Sequence, residues 1–126
     1  MISMSYSKIK WAVIFHEKFS LEFDELALEV QDELLSQMVF LEEFGPQLGR
    51  PRVDTLKGSS YSNMKELRFQ AANGVWRVAF AYDPKRQAIL LVSGNKAGVS
   101  EKRFYRELIR KADDRFSDYL QSLNED

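Results

Sequence analysis

Apolar residues recur along the chain with two periods, and the change from one to the other marks the elements. Lys10 to Phe15 (KWAVIF) is rich in aromatic and β-branched residues and reads as a first strand. Phe23, Leu26, Val30, Leu34, Leu41 and Phe44 then recur near helical spacing, with Glu25, Glu29, Asp32 and Glu43 off that stripe. The spacing predicts a helix from about Leu21 to Phe44, capped by Ser20, either continuous or kinked into a pair. Gly45-Pro46 stops it.

Residues 47–63 show no clean period and carry Arg50, Arg52 and Lys57, so a long loop of functional character is expected there. Three strands follow. Met64–Gln70 (MKELRFQ) and Val75–Tyr82 (VWRVAFAY) alternate, and Asn73-Gly74 between them is a strong hairpin signal. Asp83-Pro84 makes the next turn. Gln87–Ser93 (QAILLVS) is almost continuously apolar, as in a central strand covered on both faces. Ser100 caps a last helix to about Leu123, with Phe104, Leu108, Ala112, Phe116, Tyr119 and Leu123 as its apolar stripe. The order predicts a single α+β domain over residues 1–126. An N-terminal strand and long helix precede an antiparallel three-strand meander and a C-terminal helix, with the helices packed on one face of the sheet.

Composition narrows the chemistry. The 126 residues contain no cysteine and one histidine, His16, which removes thiolate metal sites, a Cys nucleophile and a two-histidine nuclease. The sequence predicts no metal and no cofactor. No apolar run is long enough for a membrane span, and the N-terminus lacks the pattern of a secretory leader, so a cytoplasmic protein is expected. The net charge of −1 conceals a segregation: residues 1–49 carry −6, residues 50–112 carry +9 and residues 113–126 carry −4. A basic middle between acidic ends suits a polyanion partner, or neutralises itself on folding.

Alternation gives a geometric expectation. Leu67, Phe69, Trp76, Val78 and Phe80 share one face of the hairpin, which the helices need as core. Glu66, Arg68 and Arg77 then share the opposite, open face. A carboxylate between two guanidiniums there is either a cross-strand ion-pair group, worth about 0.2–1 kcal/mol, or a phosphate-binding site with Glu66 as a base for a ribose hydroxyl. Lys102 and Arg103 sit in the first turn of the last helix, where positive charge opposes the macrodipole unless an anion binds. Lys96 lies in the loop Gly94-Asn95-Lys96-Ala97-Gly98, whose glycines would admit a ligand close to the backbone. Tyr105 reads as half-buried packing or as an acid or stacking group. Tyr61 reads as a stacking group for a base, and His16 as structural.

Several of these segments together resemble the RelE/ParE-superfamily toxins, in the HigB-like, phage-derived-protein-like branch. They are Leu48–Gly58 (LGRPRVDTLKG), Asn63–Arg68 (NMKELR), Trp76-Arg77-Val78, Ala88–Lys96 (AILLVSGNK) and Phe104-Tyr105. The resemblance spans residues 11–121. It implies a RelE-like fold and the toxin of a type II toxin–antitoxin pair. It also implies a metal-independent endoribonuclease that cuts mRNA on the ribosome, the ribose 2′-hydroxyl attacking the adjacent phosphate. On that reading Arg68 and Arg77 clamp the phosphate, Glu66 or Lys65 draws the proton, and Lys57, Lys96, Lys102 and Arg103 hold RNA. The implied partner is an antitoxin of helix-turn-helix type. Superfamily members that poison gyrase by binding, and inactive members that serve only in operon autoregulation, are the alternatives.

Overall fold

The computed structural model describes residues 10–124. The strands are β1 (Ala12–Phe15), β2 (Val53–Thr55), β3 (Met64–Ala71), β4 (Gly74–Tyr82) and β5 (Gln87–Asn95). The helices are α1 (Glu17–Asp24), α2 (Leu28–Phe44) and α3 (Glu101–Leu123). One sheet holds all five strands in the order β1-β5-β4-β3-β2, with β1 parallel to β5 and the other pairs antiparallel. No helix among the described residues is long and apolar enough to cross a membrane.

The α+β class and the meander are as the pattern predicts. Ala72 and Asn73 form a two-residue turn with φ of 49° and 63°, and the register that follows pairs Leu67 with Val78 and Phe69 with Trp76. The helical segment is a pair, broken at residues 25–27, and its cap is not Ser20. His16 caps α1, its Nδ1 accepting from Lys18 N at 3.0 Å, and Ser20 lies inside the helix. The irregular segment contains the edge strand β2, which the sequence reading leaves as loop.

The layering is corrected. The helices do not share one face of the sheet: α1 and α2 cover one side and α3 covers the other. Phe19, Leu34 and Leu41 pack with Leu67, Val78, Phe80 and Leu90 in one core. Leu108, Ala112 and Phe116 pack with Met64, Ala79, Ile89 and Leu91 in a second core. The apolar run of β5 requires this, since alternate residues of a strand need cover on both sides. A register shift between Ala79 and Phe80 turns both Leu91 and Val92 toward α3.

Candidate functional site

The hairpin register turns Glu66, Arg68 and Arg77 to the α3 side of the sheet, with Arg68 directly opposite Arg77 and Arg77 opposite Gly94 on β5. Gly94 is where α3 comes close. A Cβ there would stand 2.8 Å from Cε1 of Phe104, so the missing side chain is what seats the Phe104 ring on the strand. Tyr105 follows in the helix, its ring 5.2 Å from that of Phe104. Its hydroxyl thereby reaches the charged pair below. Gly94 serves this packing rather than the approach of a ligand.

Tyr105 Oη donates to Glu66 Oε1 at 2.8 Å and accepts from Arg77 Nε at 3.2 Å. Arg77 Nε lies 3.6 Å from the same carboxylate oxygen, and its Nη1 donates to Trp76 O at 2.9 Å. Both charged side chains are buried, 7% exposed for Arg77 and 8% for Glu66. The open face expected for them is closed by α3, and burial makes each dependent on the other. Burial first, and then the Glu66 carboxylate it bonds, hold the Tyr105 phenol above its ordinary pKa. Tyr105 is thus a protonated donor at neutral pH.

A cleft of about 380 Å³ opens beside this cluster. Glu66, Arg68 and Tyr105 line it together with Lys57 and Lys96, and Asp54 and Glu101 add two carboxylates. Lys96 Nζ is 2.7 Å from Glu101 Oε1 and 5.7 Å from the centre of the Tyr105 ring. Asp54 Oδ2 is 2.9 Å from Arg50 Nη2 and 4.0 Å from Arg68 Nη1.

The structure brings Glu66, Arg68, Lys57 and Lys96 to one cleft. Arg77 lies beneath it, bonded to Tyr105, and borders a neighbouring hollow with Arg68 and Pro51. Lys65 is not with them. Its register partner is Phe80, on the α1–α2 side, and its Nζ bonds Thr55 Oγ1 at 3.3 Å. Lys102 is exposed on α3 outside the cleft lining. Arg103 pairs with Glu107 at 3.7 Å along a different hollow. Tyr61 packs edge-on against Phe116 at 4.9 Å in the α3 core, so it offers no free ring for stacking. Sequence reasoning misses Asp54 and Glu101. The signal for Asp54 was its position on an unrecognised strand opposite Glu66.

Residues 21–117, which include the whole charged cluster and the cleft, match the family described as phage derived protein Gp49-like. The chain belongs to the Gp49-like family. Two relatives from Mycobacterium tuberculosis are similar to this Gp49-like chain. It is 44% identical to the protein named "Putative toxin HigB2" over 106 residues, 82% of the chain and 52% of that protein. It is 42% identical to "Putative toxin HigB3" over 111 residues, 88% of the chain and 95% of that protein. The Gp49-like chain thus spans about half the length of HigB2 and nearly all of HigB3. A solved structure of an E. coli toxin RelE mutant in the free state superposes with a TM-score of 0.61, covering 84% of this chain and 97% of that one. At 15% identity, that likeness shows a shared fold.

Proposed function

We propose that this Gp49-like chain is the toxin of a type II toxin–antitoxin pair and that it cuts mRNA in the ribosome by attack of a ribose 2′-hydroxyl on the adjacent phosphate. The observation that carries the reading is the hydrogen bond from Tyr105 to Glu66 at the wall of a cleft holding Arg68 and Lys96. It links a proton acceptor to a proton donor beside cations suited to a phosphate. The names of HigB2 and HigB3 and the RelE-like fold support the toxin assignment.

In the proposed step, Glu66 takes the 2′-hydroxyl proton as the O2′–P bond forms. The P–O5′ bond breaks, and Tyr105 gives its proton to the leaving 5′-oxygen. Glu66 returns its proton to Tyr105 through the bond of 2.8 Å, which restores both groups. Arg68 stabilises the charge that builds on the non-bridging oxygens, with Lys57 and Lys96 on the flanking backbone. Arg77 acts through Tyr105 and Glu66 as a positioning residue. Lys65, across the sheet, has no part. The partner is an antitoxin of helix-turn-helix type, and the site of action is the cytoplasm.

Programmed ribosomes and end-labelled mRNA test the reading. Wild type should release fragments ending in a 2′,3′-cyclic phosphate, and Tyr105→Phe should slow release by about 100-fold, the usual scale for loss of an acid–base group. Equal rates for the two proteins would remove Tyr105 from the step. Intact mRNA with wild type would refute the nuclease reading and favour a toxin that acts by binding.

A further inference from the structure

The charges lining the cleft cancel. Lys57, Arg68 and Lys96 supply three positive groups, and Asp54, Glu66 and Glu101 supply three negative ones. Glu66 belongs to the proton relay, but Asp54 and Glu101 touch neither Tyr105 nor Arg77 through any bond described above. They face the cations instead. Glu101 Oε1 sits 2.7 Å from Lys96 Nζ, and Asp54 Oδ2 lies 2.9 Å from Arg50 Nη2 and 4.0 Å from Arg68 Nη1, so it is shared by two arginines. Both are firmly ionised. The Lys96 ammonium holds Glu101 below the usual carboxylate range, and the Thr55 N–H followed by the Arg50 guanidinium does the same for Asp54.

Affinity for free RNA comes mainly from cations that replace condensed counterions on phosphates. A cation already paired to a carboxylate contributes little of that effect, because it exchanges one anion for another. We infer that Asp54 and Glu101 are specificity-determining residues. They hold the cleft neutral, so that RNA free in solution binds weakly and only RNA presented to the cleft by another body is cut. This rests on the nuclease reading above, in which the ribosome presents the RNA, and names the two residues that keep free RNA off the cleft.

The experiment measures binding of a short fluorescein-labelled 2′-O-methyl RNA, which cannot be cut, by anisotropy across a salt series. The proteins are the full chain as wild type, Glu101→Gln, and Asp54→Asn with Glu101→Gln. Freeing Lys96 alone should steepen the slope of log K against log salt by about 0.7, and freeing Arg50 and Arg68 as well should bring the change to as much as about 2.1. The double variant should bind about tenfold tighter than wild type at about 50 mM salt. A merely structural role for the two acids leaves the salt slope unchanged. Glu101 is exposed in the first turn of α3, so its single variant keeps the test open if the change at Asp54 disturbs β2. Equal affinities and slopes for wild type and Glu101→Gln would overturn the inference. Binding is read without cleavage, so this failure is distinct from failure of the nuclease reading, which shows as intact mRNA on ribosomes with wild type.

Discussion

Replacing Arg77 by Met would leave the Glu66 carboxylate buried without its counter-charge. In the native structure the guanidinium lies 3.6 Å from Glu66 Oε1, and both side chains are less than a tenth exposed. Removing one member of a buried pair costs about 3–5 kcal/mol, because the remaining ion keeps its desolvation penalty and loses its compensation. Against a net stability of about 5–15 kcal/mol for a domain, that is a large share. For a chain of this size it lowers Tm by about 10–20 °C. The hydrogen bonds to Tyr105 Oη and Trp76 O go as well, so the upper part of the range is expected. Guanidinium unfolding gives the number directly. Adding Glu66→Gln should recover most of the loss, since the amide carries no charge to compensate. A cost below about 1 kcal/mol for Arg77→Met would refute the claim that α3 desolvates this pair.

Three further outcomes are expected. Gly94→Val should push the Phe104 ring off β5, cost about 1–3 kcal/mol in denaturant unfolding and reduce mRNA cleavage by displacing Tyr105. Ala72→Gly should raise stability by about 0.5–1 kcal/mol in the same assay, because φ of 49° is a left-handed conformation that glycine adopts without strain. In a spectrophotometric titration, Tyr82 and Tyr119 should remain un-ionised at pH 11, burial having pushed both up to about 12. An acid whose folded pKa is raised loses its contribution as pH rises, so alkaline destabilisation should set in between the ordinary tyrosine pKa and about 12.

The hairpin was legible because Asn73-Gly74 signals a turn between two alternating runs, and an even-length connection then determines which residues share a face, although the turn itself falls one residue earlier, on Ala72 and Asn73. That alone places Glu66, Arg68 and Arg77 on a common face. The same parity puts Lys65 with Leu67 and Phe69, and grouping it with Glu66 went against the period of the strand. The burial of Glu66 and Arg77 was harder to read, because it depends on where a helix some thirty residues away comes to rest. The evidence for a second covered face lay in β5, whose apolar run cannot be satisfied from one side. Strand β2 escaped notice because three residues at an edge carry too little alternation to stand out. His16 was read as structural, yet its capping of α1 was assigned to Ser20, since a histidine is an uncommon cap and serine a favoured one.

The central claim is that Glu66, Tyr105 and Arg68 form a nuclease site working on mRNA held by the ribosome. The most direct test maps new mRNA 5′ ends across the transcriptome after brief induction of wild type, with Tyr105→Phe and Arg77→Ala induced in parallel. The account predicts cuts phased to codons with wild type and loss of those cuts with either variant. Arrested growth with intact mRNA would contradict it, as would an unphased cutting pattern that survives both substitutions.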